Sequence, residues 1–151
     1  MATKVLLIGY GNPGRLDDGL GPALVEVMES INIANLKLDS DYQLTVEDAV
    51  TVAENDIVIF ADAAVKGSEP YYFKRIYGEP HMSFSSHSIS PTALLGLSNE
   101  IYKKEPIGYL LGIRGYEFNE YEERLSDKAK KNLNEAVNFI KESIFKNEFT
   151  E

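Results

Sequence analysis

KVLLIGYGNPGRLDDGLGP, residues 4–22, decides how the rest of this chain is read. Val5 to Ile8 is an unbroken apolar run, without the alternation of a half-exposed strand, and so predicts a strand covered on both faces. Gly9 to Gly14 is turn chemistry. From Leu20 the apolar residues change period: Leu20, Leu24, Val27 and Ile31 recur at helical spacing and predict a helix over 20–31. A buried strand, a glycine-rich loop and an amphipathic helix are the opening half of a strand–helix–strand unit.

The same cadence continues outward. A short strand is expected over 36–39, and Thr45-Val46-Glu47-Asp48 opens a second helix with Thr45 and Asp48 as candidate caps. Ile57-Val58-Ile59-Phe60-Ala61 is a second apolar strand ending at Asp62, and Tyr71 to Tyr77 alternates as a more exposed strand. Gly78 to Ser88 is polar and holds both histidines, His81 and His87. Ser90-Pro91 starts a helix running to about Tyr102, with proline at its first position. Tyr109 to Ile113 is a third apolar strand, and Ser126-Asp127 caps a long last helix striped by Ala129, Leu133, Val137, Ile140 and Ile144. The expected fold is α/β: one domain over 1–151, three layers α/β/α, with a mostly parallel, roughly five-stranded twisted sheet. Ligands of such sheets bind at the carboxyl edge. That directs attention to residues 9–18, Asp62 and 113–115.

The 151 residues carry 15 Lys+Arg against 24 Asp+Glu, a net charge of −9, which argues against general nucleic-acid binding. With 44% apolar residues the chain can build a core. It has no cysteine, which removes disulfides, thiolate metal sites and cysteine nucleophiles, and two histidines cannot make a three-histidine metal centre. No run approaches the roughly 20 apolar residues of a membrane span, and the six-residue apolar run near the N-terminus is short for a signal peptide. A cytoplasmic protein without membrane insertion is the expectation.

Gly9-Tyr10-Gly11-Asn12-Pro13-Gly14 fits G-x-G-x-x-G, and Asp39 falls where a ribose-binding acid would sit, so a dinucleotide-binding module on the Gly9, Gly11 and Gly14 loop is one reading. Against it, Asp17 and Asp18 would repel a pyrophosphate at the helix start, and Pro13 removes an amide donor. Asn12 and the glycines beside it also resemble the opening of bacterial peptidyl-tRNA hydrolases, but where those enzymes place a histidine this chain has Arg15 to Asp18. One of the two adjacent acids is explained as a helix cap; two are not, because neighbouring like charges disfavour each other. One capping the helix and one facing a cation resolves the pair. Asp62, after five apolar residues, reaches the same sheet edge, and His87 lies in a loop just before a helix. A carboxylate, carboxylate, histidine set with open positions suits a divalent ion such as nickel or zinc.

Residues 9–22 as a whole, GYGNPGRLDDGLGP, are similar to the signature of the nickel–iron hydrogenase maturation endopeptidases. The likeness runs over nearly the whole chain, through Asp41 to Leu44 before Glu47, Ser86-His87, Ile113 to Phe118, and Leu125-Ser126. The later segments look most like members serving soluble, cofactor-reducing hydrogenases. The resemblance implies Asp18, Asp62 and His87 as metal-binding residues, with Asp18 and Asp62 catalytic. It implies cleavage of the C-terminal extension of the hydrogenase large-subunit precursor after nickel insertion, nickel being supplied by that precursor. The chain departs from other members at Asp39-Ser40-Asp41-Tyr42, where they carry an Asp-Gly-Gly-Thr-type segment, and some place the histidine nearer Thr92. The chain has no Gly-x-Ser-x-Gly and no His-Glu-x-x-His, so serine and zinc protease mechanisms find no support. A non-cutting hydrogenase assembly chaperone would use the same ligands. Arg114 is expected either as a fork for a substrate carboxylate or in a salt bridge. Asn12 and Gln43 are candidates for holding an extended tail, and Tyr71, Tyr72, Phe73 and Tyr77 either form a docking surface or pack within the sheet.

Overall fold

A computed structural model describes residues 3–80 and 89–145. Five strands form one sheet: β1 (Val5–Tyr10), β2 (Leu36–Asp41), β3 (Ile57–Ala64), β4 (Tyr71–Ile76) and β5 (Ile107–Arg114). Four helices accompany them: α1 (Leu20–Ile31), α2 (Asp48–Ala53), α3 (Pro91–Tyr102) and α4 (Asp127–Phe145). A single 3₁₀ turn, Leu16–Gly19, precedes α1. The strand order is β2-β1-β3-β5-β4, parallel throughout except for β4, which pairs antiparallel with β5 at one edge. This is the three-layer α/β fold with the five-stranded, mostly parallel sheet that the alternation of strands and helices predicts.

Two cores cover the two faces. On one, Leu7, Ile59 and Ile113 of the sheet meet Leu20, Leu24 and Met28 of α1 and Ala129, Leu133, Ala136 and Ile140 of α4. On the other, Leu6, Ile8, Val58, Phe60 and Ile76 meet Val52 of α2 and Leu94 and Leu95 of α3. Neighbours along a strand thus serve opposite layers, which is why the strands read as continuous apolar runs. The buried stripe of α1 is Leu20, Gly21, Leu24, Val25 and Met28; Val27, expected in it, is 37% exposed because it lies off the axis drawn by residues 20, 24 and 28.

Most boundaries fall where the sequence puts them. Ser90 caps α3 by accepting from the Ala93 amide. The expected caps of α2 are corrected: the helix starts at Asp48 with Glu47 at its cap position and no side-chain cap, and Asp48 instead accepts from the Thr45 amide in the turn before it. β2 and β3 extend past their expected ends, β3 by three residues, because β5 continues alongside with Asp62 opposite Gly112 and Ala64 opposite Arg114. Asp62 therefore lies inside a strand rather than after it. Among the described residues, no helix is long and apolar enough to cross a membrane.

Candidate active site

The chain passes from β1 to β2 on one side of β1 and returns to β3 on the other, so the order of the parallel strands reverses at β1. The connections that leave β1 and β3 diverge there, opening a crevice at the carboxyl edge. Asp18 sits on the turn after β1, and Asp62 lies near the end of β3 on the layer of α2 and α3. Gly9 makes the approach of α1 possible, since a Cβ there would come within 2.1 Å of the Gly21 carbonyl oxygen. The start of α1 is thereby drawn against the ends of β1 and β3.

Asp18 accepts the Asn12 amide at 2.9 Å through Oδ2, and Asp62 accepts the Ala63 amide at 2.8 Å through Oδ1. Burial, with the charge of Asp18 adding to it against the Ala63 hydrogen bond, raises the Asp62 carboxyl to about 6. The two acids therefore feel each other across the crevice. Among the described residues no Lys or Arg forms an ion pair with either. A half-buried carboxylate beside a second one, with no cationic side chain to neutralise them, fits a cation or a shared proton.

Tyr10 and Tyr72 flank Asp62. Burial, then Asp62, pushes both phenols up, so both stay protonated at neutral pH. Their contribution was hidden in the sequence because Tyr10 continues the apolar period of Leu6 and Ile8, and Tyr72 is one of several aromatics in an alternating strand. His87 and His81 lie outside the described residues. Among the described residues there is no cluster of three or more His, Cys, Asp or Glu able to hold a metal ion.

Asp17 does something else. It is fully buried, and its carboxylate accepts from the amides of Tyr116, Glu117 and Ser126 at 2.8–3.0 Å and from the Ser126 hydroxyl at 2.7 Å. Burial alone would raise its pKa, but the four hydrogen bonds outweigh it and the carboxyl falls below its ordinary value. The expectation that one of the paired acids caps α1 is corrected: the cap position is Gly19, with no side-chain cap. Asp17 instead fastens the turn to the segment before α4.

The dinucleotide reading of the loop fails on its amides. Gly11 donates to the Asp41 carbonyl, Asn12 to Asp18, Gly14 to the Asn12 side chain, Arg15 to the Asn12 carbonyl, Leu16 to Glu122 and Asp17 to Glu117. A pyrophosphate needs those donors free. Among the described residues Arg114 forms no salt bridge; it donates to the carbonyls of Gly67 at 2.9 Å and Gly115 at 3.2 Å. The side-chain oxygen of Asn12 accepts the Gly14 amide at 2.9 Å within the same loop. Tyr71 meets the ring of Phe139 of α4 at a tilt and Phe73 meets it edge-on, while Phe73 stacks on Tyr109, so these two serve sheet packing; Tyr77 is exposed.

No protein-family model and no curated protein matches the chain. Solved structures do. The NiFe hydrogenase maturation protease HycI of Thermococcus kodakarensis superposes with a TM-score of 0.71 at 20% identity, over 93% of this chain and 91% of that one. The hydrogenase maturating endopeptidase HybD of E. coli gives 0.70 at 20% identity, over 95% and 93%. The hydrogenase 2 maturation peptidase of a Thaumarchaeota archaeon gives 0.68 at 20%, over 93% and 97%. Strand order, helix placement and near-complete mutual coverage lead to one identification: this chain has the fold of the NiFe hydrogenase maturation proteases.

Proposed function

We propose that the chain is a hydrogenase maturation endopeptidase that removes the C-terminal extension of a nickel–iron hydrogenase large-subunit precursor after nickel has been inserted. The observation that carries this is the pair Asp18 and Asp62, two carboxylates at one sheet edge with no cationic side chain paired to them among the described residues. The fold shared with HycI and HybD supports the same reading. So does the lack of the sequence signatures of serine, cysteine and zinc proteases.

On this reading Asp18, Asp62 and His87 meet the nickel that the precursor carries, and the metal is part of the substrate. Contact with it fixes the scissile bond beside the two acids. Water then adds to the carbonyl carbon, a carboxylate takes its proton, and that proton passes to the departing amine as the carbon–nitrogen bond breaks. On this reading the chain works in the cytoplasm.

The test is to incubate the chain with nickel-loaded and nickel-free precursor and to weigh the large subunit by mass spectrometry. Loss of a C-terminal fragment from the loaded form alone is expected, and Asp18→Asn abolishes it. Loaded precursor that binds but stays intact would transfer the chain to the class of assembly chaperones.

A further inference from the structure

Asp62, Gly112 and Tyr72 are register partners across β3, β5 and β4. Side chains at such positions leave the same face of a sheet. Gly112 stands in the middle of this row without a side chain, and the tyrosine uses the space. A Cβ at residue 112 would lie 2.2 Å from Tyr72 Cε2, 2.3 Å from Cζ and 2.7 Å from the phenol oxygen. The ring is therefore laid inward across the neighbouring strand, with its hydroxyl end over Gly112 and toward Asp62. Any other residue at 112 would push it away. Tyr71 and Phe73, on either side of it in β4, go to the opposite layer and meet the ring of Phe139, whereas the Tyr72 ring covers Gly112 with Lys74 Nζ 5.6 Å from its centroid.

We propose that Tyr72 is a catalytic residue of this site, its phenol O–H donating a hydrogen bond to the carbonyl oxygen of the scissile peptide, and that Gly112 is there to admit the ring. The inference rests on the peptidase reading. As water adds to the carbonyl carbon, the π electron pair moves onto that oxygen, and a fixed donor aimed at it lowers the barrier more than it strengthens substrate binding. A neutral donor suits a place where the described residues pair no Lys or Arg with Asp18 or Asp62. Burial and the charge of Asp62 both keep the phenol protonated, so the donor persists at neutral pH.

The experiment measures cleavage of nickel-loaded precursor by the wild type, Tyr72→Phe, Gly112→Ala and the double variant, with thermal melting of each. Tyr72→Phe keeps the ring and loses only the hydroxyl, so kcat is expected to fall about a hundredfold or more with KM and Tm close to wild type. Gly112→Ala displaces the ring and is expected to lower kcat as well, the double variant being no slower than the worse single one. If Gly112→Ala does not fold, Tyr72→Phe decides alone. A Tyr72→Phe enzyme with undiminished kcat, or one that loses only Tm or KM, overturns the proposal while leaving the peptidase reading intact. A wild type that does not cut loaded precursor overturns both.

Discussion

Asp17 and Asp18 are adjacent acids with opposite tasks, and their surroundings explain the division. Asp17 gathers four hydrogen bonds in a buried position, whereas Asp18 accepts one main-chain amide and acts by its charge on Asp62. Asp17→Asn places an amide NH₂ where an acceptor is required and is expected to cost about 2–4 kcal/mol in urea unfolding at pH 7. Because the folded pKa of Asp17 is lowered, its stabilisation is present above the unfolded carboxyl value and is lost as pH falls through the folded one. The gap between wild type and Asp17→Asn should therefore narrow as unfolding is repeated toward pH 3. Asp62 carries the reverse sign. Its folded pKa of about 6 lies above the unfolded value of 3.8, so stability falls as pH rises from 3.8 to 6 and the full cost of the charged form is present above 6. Asp62→Asn is expected to melt higher than wild type at pH 8, by a gain of up to about 3 kcal/mol, to keep about half of that gain at pH 5 and to lose most of it by pH 4. A site that is strained without its ligand behaves this way; equal melting at both pH values would show that the carboxyl is relaxed.

Ser126 belongs to two elements at once. Its hydroxyl donates to Asp17 and accepts from the Ala129 amide at 3.2 Å, capping α4 while tying that helix to the turn that carries Asp18. Ser126→Ala removes both contacts and is expected to cost about 1–3 kcal/mol by chemical denaturation. A double-mutant cycle with Asp17→Asn should give a coupling of at least about 0.5 kcal/mol, since the two side chains share one hydrogen bond. Additive losses would mean that cap and clip act separately. The edge strand β4 shows how one element can divide its duties: Tyr71 and Phe73 consolidate the layer of α4, while Tyr72 turns to the crevice. Alternation along the strand predicts that division, and only the glycine across the ladder decides what Tyr72 does with its side.

For the molecule as a whole, the reversal of strand order at β1 brings residues from 44 positions apart, Asp18 and Asp62, to one edge. The same closure fills the amides of the glycine loop, and so NAD or NADP at millimolar concentration is expected to leave the melting temperature unchanged; a clear upward shift would restore the nucleotide reading. The layers, the helix starts and the buried strands were legible in the linear order of residues, because periodicity of apolar side chains, capping residues and proline positions are local properties. Asp18 and Asp62 were legible as strand-edge acids for the same reason. The clip made by Asp17 was not, since its partners lie about a hundred residues away and acids at a helix start ordinarily serve the helix itself. Nor were the spent donors of the loop, the carbonyl contacts of Arg114 or the ring of Tyr72 over Gly112. Each depends on which strands become neighbours and in what register. A sequence states which residues can be buried together, but the lateral pairing of distant strands sets which of them touch, and contact is what turns a carboxylate such as Asp17 into a fastener.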